Sequence, residues 1–275
     1  MCGIIGIQNN SEAATLAYMG LYAQQHRGQE GAGVVSSDGT VLHRHMGQGL
    51  VADVFSDSAV FDSLIGDSAI GHVRYSTTGN SDPKNVGPLT FNMGDYSLSI
   101  AHNGNLVNLD EIRKELQENG ALFQTSTDTE IIIQLLAREK GNTLADKLEK
   151  VLLKIEGAYS LILLSPSEII AARDPHGIRP FCMGKLNDTL IFASETCALD
   201  LLGAEYLMDV KPGEMIVAND KGFYSKTITA SQQSKHCIFE YIYFSRPDSK
   251  IFGKSVDKMR RQFGRKLAKE NPSET

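Results

Sequence analysis

Several features that would mark large classes of protein are missing from this sequence. Its four cysteines (Cys2, Cys182, Cys197 and Cys237) are scattered, with no CxxC pair, which argues against a disulfide framework and against a closed zinc site. No run approaches the ~18 consecutive apolar residues of a membrane-spanning helix. The N-terminus has no basic segment followed by an apolar one, so a secretory signal is not expected. Positive charge is not in surplus either. The 27 Lys and Arg against 33 Asp and Glu leave a net charge of −6, unlike a general nucleic-acid binder. These absences leave a cytoplasmic globular chain. Its 275 residues, 41% hydrophobic and 22% charged, suffice for one large domain or for a domain and the start of another.

What is present is organised around Met1-Cys2-Gly3-Ile4-Ile5-Gly6-Ile7. Trimming of Met1 would leave Cys2 first, with a thiol and a free α-amine on one residue. That pairs a nucleophile with its own base, because an α-amine of pKa about 7.7–8.0 can accept a proton near neutrality. The glycine and isoleucine that follow suit a buried strand, which would anchor the terminus.

Along the chain, Ser11 to Gln25 reads as a helix capped by Ser11. Val34-Val35, the turn at Asp38-Gly39 and Val41-Leu42 read as a hairpin. Ser68 to Tyr75 and Tyr96 to His102 are expected strands on either side of a polar loop. Three helices follow, opened by Asn108, by Thr127 with Glu130 as a capping box, and by Thr143. Strands are then expected at 159–164, 168–173, 181–186 and 189–194, with a final hairpin at 214–218 and 223–228. Short strands joined by hairpins, with helices grouped between two strand blocks, point to an α+β fold of two mainly antiparallel sheets between helical layers. A boundary is placed near the polar stretch from Thr229 to Ser234. Beyond it, Lys254 to Glu270 reads as a basic amphipathic helix with its stripe at Val256, Met259, Phe263 and Leu267.

Four constellations combine into one chemistry. Cys2 is a candidate nucleophile. The carboxamide of Asn103 beside the N–H of Gly104 offers two donors to an oxyanion. Arg74, at a strand end, can grip a carboxylate through paired N–H bonds. Asp128, in the first turn of a helix, can face an ammonium group. Each has a plainer reading: a turn for Asn103-Gly104, a surface arginine for Arg74, a favourable acid at a helix N-terminus for Asp128. Together they match the needs of an α-amino acid with a side-chain amide, namely glutamine.

At this point the chain resembles the class II glutamine amidotransferases, the N-terminal-nucleophile hydrolases. Within them it is closest to the N-terminal glutaminase domain of the amidophosphoribosyltransferase family. The resemblance rests on HVRYSTTG (72–79), HNGNL (102–106), STDTE (126–130), ARDPHGIRP (172–180), ASE (193–195) and FEYIYFSRPDS (239–249). It implies a four-layer αββα sandwich with Cys2 as nucleophile, its α-amine as base, and Asn103 and Gly104 as oxyanion hole. Arg74 and Asp128 would hold the two charges of glutamine, Arg27 and Gly28 would border the nucleophile, and Thr77 would lie on the glutamine loop. No cofactor is implied for glutamine hydrolysis.

In longer members the ammonia passes to phosphoribosyl pyrophosphate, making 5-phosphoribosylamine for purine synthesis, in a homo-oligomer that uses Mg2+. Some members also hold a [4Fe–4S] cluster, and Cys237 stands where one of its ligands falls. The acidic pair of the phosphoribosyltransferase domain is absent here. Residues 1–235 are therefore expected to be the glutaminase domain, and 236–275 the connecting segment and leading helix of a truncated second one. No propeptide beyond Met1 is expected, and no nucleic acid or membrane partner. The rival readings are the glutaminase of another class II enzyme, a deamidase of a different amide, and a non-catalytic scaffold that retains the fold.

Overall fold

The computed structural model describes residues 1–75, 82–230 and 233–272. In chain order its elements begin with β1 (Gly3–Gln8), α1 (Ala13–Ala23), β2 (Gly31–Ser37), β3 (Leu42–Gln48), α2 (Val51–Val54), α3 (Val60–Ser63) and β4 (Ser68–Arg74). Next come β5 (Leu89–Asn92), β6 (Ser97–Leu106), α4 (Leu109–Glu118), α5 (Asp128–Arg138) and α6 (Leu144–Leu152). The third group is β7 (Gly157–Leu164), β8 (Ile169–Arg173), β9 (Cys182–Leu186), β10 (Thr189–Ala193), α7 (Thr196–Leu202) and β11 (Glu205–Asp209). The chain closes with β12 (Glu214–Asn219), β13 (Gly222–Thr227), the short pair β14 (Lys250–Ile251) and β15 (Lys254–Ser255), and α8 (Val256–Glu270).

Two antiparallel sheets stack face to face. The first has the order β11-β9-β10-β1-β4-β2-β3, the second β13-β12-β8-β7-β6-β5. Side-chain alternation along each strand sorts residues between the layers. In β1, Ile4 faces the second sheet, while Ile5 and Ile7 face α1. In β7, Ile162 and Leu164 face the first sheet, while Leu161 and Leu163 lie under the helices. The inter-sheet core thus holds Ile4, Val35, Ile70, Ala101, Ile162, Ala171, Phe192 and Ile216. Burying each large apolar side chain here stabilises the fold by roughly 1.5–3 kcal/mol, and Ile4→Ala would cost about 2–5 kcal/mol. A Cβ on Gly6 would lie 3.3 Å from both branches of Ile162, so glycine lets β1 approach the second sheet closely. Helices α1 and α7 cover the first sheet, and α4 to α6 the second. This is the four-layer α+β architecture expected.

Three expected caps are not formed. The α1 helix starts at Ala13, and Asn10, not Ser11, ties its entrance by accepting the N–H of Glu12 at 2.8 Å. Asn108 precedes α4 but its carboxamide bridges Lys154 and Glu156 instead. Thr127 makes no cap bond: its hydroxyl pairs with that of Thr125 at 3.0 Å, and Glu130 turns to accept the N–H groups of Gln124 and Thr125. Thr143, expected to open α6, does so, and forms a reciprocal box with Asp146. The helix α8 packs Met259 and Phe263 against Tyr241, Ile251 and Val256, whereas Leu267 is exposed. No helix among the described residues is long and apolar enough to cross a membrane.

Candidate active site

The antiparallel register between β1 and β4 builds one wall of the site. Gly3 lies opposite Val73 and Ile4 opposite His72, so the next step outward sets Cys2 beside Arg74. Cys2, His72 and Arg74 all carry the parity that faces the second sheet. Cys2 is half-buried, and its thiol donates to the carbonyl of Tyr75 at 3.6 Å. Arg27 follows α1 in a one-turn 3-10 helix (Gln25–Arg27), and its Nε donates to the Cys2 carbonyl at 2.9 Å. A Cβ on Gly28 would sit 2.5 Å from the Arg74 carbonyl group, so only glycine lets this turn press against the end of β4.

The opposite wall is β6. Its partner β5 pairs with it only as far as Ile100. From Ala101 to Leu106 that edge therefore has no strand among the described residues. Val107 donates its N–H to Glu156 on the β7 side, while Leu106 donates to Asp128 Oδ2 at 3.2 Å on the open side. Alternation of backbone donors then turns the N–H of Gly104 toward the open edge as well. Gly104 packs closely: a Cβ there would overlap the Ala158 carbonyl oxygen. Asn103 faces the first sheet, fully buried, and neither end of its carboxamide has a hydrogen-bond partner among the described residues. Buried amides are almost always paired, so this one is held open.

A single cavity is lined by Cys2, Arg74, Gly104 and Asp128, together with His72 and His102. Arg74 is buried, donates from Nη1 to the Asn85 carbonyl at 3.0 Å, and has its Nε 3.9 Å from Glu30. Asp128 opens α5 and reaches His102, Oδ1 to Nδ1, at 3.4 Å. Burial opposes the charge on both, but each more than compensates the other: His102 is held above the ordinary histidine value and Asp128 below the ordinary carboxylate value. His72 has no such anion. Burial first, then the charges of Arg74 and His102, push it down to about 3, so it is neutral. Thr77 lies outside the described residues.

Beneath the cavity lies a second polar cluster. Arg27 is wholly buried between two wholly buried glutamates. Its Nη1 donates to Glu195 Oε1 at 2.5 Å, and its Nη1 and Nη2 to Glu240 Oε2 and Oε1 at 3.0 Å each. Burial would raise Glu195, but Arg27 and His26 overcome it and hold it at about 2. Arg27 is raised in turn by its two anions against the pull of burial.

The structure thus brings Cys2, Arg74, Gly104 and Asp128 around one space, seats Asn103 beside it, and puts Arg27 and Gly28 behind the nucleophile. Sequence reasoning missed His72, His102, Glu195 and Glu240 as members of the site. The signal for the histidines was their place on buried strands next to Arg74 and Asn103; for the glutamates it was an acid inside an otherwise apolar segment. Cys182 and Cys197 are buried free thiols, both pushed up by burial, the latter to about 12. Cys237 is a free, half-buried thiol. No group of three His, Cys, Asp or Glu side chains converges as a metal site among the described residues. Among the described residues the four cysteines therefore do not converge as the four thiolates of a [4Fe–4S] cluster.

Comparison with known proteins gives a consistent outcome. The profile of the "Glutamine amidotransferase domain" family matches residues 72–201. Amidophosphoribosyltransferase of Bacillus subtilis (strain 168) is 44% identical over 274 residues, covering 99% of this chain and 57% of the relative. Chloroplastic amidophosphoribosyltransferase 2 of Arabidopsis thaliana is 48% identical over 273 residues, covering 98% of this chain and 48% of the relative. Among solved structures, the glutamine phosphoribosylpyrophosphate amidotransferase of B. subtilis with ADP and GMP superposes with a TM-score of 0.94 at 44% identity, over 99% of this chain and 59% of that one. A structure of the allosteric regulatory enzyme of purine biosynthesis superposes at 0.96, with the same identity and coverage. The chain spans about half the length of the curated relatives it matches.

Proposed function

We propose that this chain, which carries a class II glutamine amidotransferase domain matching the N-terminal part of amidophosphoribosyltransferases along its whole length, hydrolyses glutamine to glutamate and ammonia on Cys2. The observation that carries this reading is the meeting of Cys2, Arg74, Gly104 and Asp128 around one cavity.

Removal of Met1 exposes the α-amine of Cys2. That amine takes the thiol proton, and the sulfur attacks the amide carbon of glutamine. The negative charge that gathers on the amide oxygen is met by the N–H of Gly104 and the carboxamide N–H of Asn103, which is free to turn to it. The C–N bond then breaks, and the amine returns its proton to the departing ammonia. Water attacks the thioester, giving glutamate and restoring the thiol. Arg74 receives the α-carboxylate of glutamine and Asp128 its α-ammonium, with His102 fixing the direction of Asp128.

In the longer protein of which such a domain is part, the ammonia would convert phosphoribosyl pyrophosphate to 5-phosphoribosylamine. That acceptor chemistry, with Mg2+ and any iron–sulfur cluster joined through Cys237, belongs to a further domain. Residues 1–235 would then be the glutaminase and 236–275 its link to the acceptor domain, in a homo-oligomer. A cytoplasmic setting suits four free cysteines.

Replacing Cys2 by alanine should abolish glutamate release and the labelling of the chain by a diazoketone analogue of glutamine. Wild-type turnover in that variant would overturn the assignment.

A further inference from the structure

Glu240 lies outside the cavity, at the head of a π-turn (Glu240–Phe244) in the segment that leads to α8. It is nevertheless fully buried and holds Arg27 by two parallel bonds. The guanidinium is a rigid fork. With Glu240 along one side and Glu195 along another, its remaining Nε–H has one direction left, and there it meets the Cys2 carbonyl. The balance of charge is close. The two carboxylates are offset by Arg27 and by Arg179 at 3.6 Å from Glu240, and His26 hydrogen-bonds Glu195 at 2.8 Å. Ser245 and Ser249 add hydroxyl donors, and Arg246 its backbone N–H.

As a source of stability such a cluster is poor, because apolar residues of equal volume do as well or better. What it supplies is a fixed orientation for the residue it touches. We propose that Glu240 is a positioning residue for Cys2, which it acts on through Arg27, fixing the main chain of the nucleophile and the charge around its amine. This rests on the glutaminase reading above. Two observations support it. Arg27 grips the nucleophile's own main chain, donating from Nε to the Cys2 carbonyl at 2.9 Å while Glu240 holds the other end of the guanidinium. The π-turn is also pinned from outside. Ser245 donates its N–H to the Glu240 carbonyl at 3.0 Å, and Arg260 of α8 donates to the carbonyls of Tyr241 and Ser245 at 2.7 Å each. A movement of α8 is therefore passed to Glu240, and from it to Cys2.

The test uses the full chain with Met1 removed, in Glu240→Gln and Arg260→Gln variants. Two rates are followed against pH: alkylation of Cys2 by iodoacetamide, read by intact mass, and hydrolysis of glutamine. Loss of the Glu240 charge should lower kcat/KM by about ten-fold or more through misplacement of the nucleophile. It should also move the acidic limb of both profiles to lower pH, because one anion has left the neighbourhood of the amine. Arg260→Gln, which spares the buried cluster but frees the π-turn from α8, should lower kcat/KM by less and move the acidic limbs the other way, to higher pH, because a cation has left the enclosure. A lowered melting temperature with both limbs unmoved in either variant would overturn the proposal. Iodoacetamide needs no glutamine site, so the two readings can fail separately. A moved alkylation limb in a protein that leaves glutamine intact would refute the glutaminase and keep the role of Glu240. Turnover with unmoved limbs would do the reverse.

Discussion

Two buried polar regions lie on either side of Cys2, and they treat their hydrogen bonds in opposite ways. Behind the nucleophile, Arg27, Glu195 and Glu240 have no exposed side-chain surface and all are paired. In front of it, the carboxamide of Asn103, Nε2 of His102 and Nδ1 of His72 are also buried and have no partner among the described residues. The same chain tolerates both. Paired groups at this depth serve as framework. Unpaired ones keep a cost of desolvation that only an incoming ligand can relieve.

The comparison can be broken most severely at Arg27. In Arg27→Met two buried carboxylates lose their counter-ion, and unfolding in urea should show a loss of about 3–5 kcal/mol. On the cavity side the effect should fall on the reaction instead. Asn103→Leu keeps the volume and removes the oxyanion donor, so glutamine hydrolysis should drop by about 10²–10³-fold while stability holds or rises. A stability loss like that of Arg27→Met would mean that Asn103 is framework after all.

Acid separates the two regions further. His72 is held at about 3 when folded against an ordinary value of 6.5, so the unfolded chain binds the extra proton. Its contribution to stability is complete above 6.5 and is lost as the pH falls from there toward 3, at up to about 1.4 kcal/mol per pH unit. Glu195, held at about 2, contributes above its ordinary value of 4.5 and loses that only as the pH falls through about 2. Between pH 6.5 and 4.5 the slope assigned to His72 should therefore vanish in His72→Gln, as read from urea midpoints at each pH. The smallest effect is expected where a pair is exposed. Lys226 bridges Asp146 and Glu149, and Lys226→Ala should leave the urea midpoint where it was.

Much of the framework was legible in the sequence because it follows from alternation. Val-Ile-Leu strands such as 157–164 and the helix stripe from Leu144 to Leu152 announce both element and facing side. The polar strand β3, Leu42–Gln48, was legible only in its first residue: it is an edge strand, and its histidines and arginine carry no apolar period. Caps failed where a tertiary partner outbid the local one, as Lys154 and Glu156 did for Asn108. Cys2, Asn103, Gly104, Arg74 and Asp128 could be named together as the needs of a single substrate. Glu195 and Glu240 could not, since their function depends on Arg27 from a distant part of the chain, and a lone acid in an apolar segment does not declare its counter-ion.

Met1 is 4% exposed, enclosed between the Arg27 turn and the segment that carries Phe244 and Arg260. An affinity tag fused ahead of it would have to thread out of that enclosure or displace the walls. Production of a competent protein thus calls for tagging elsewhere, or for a protease whose cut leaves cysteine as the leading residue.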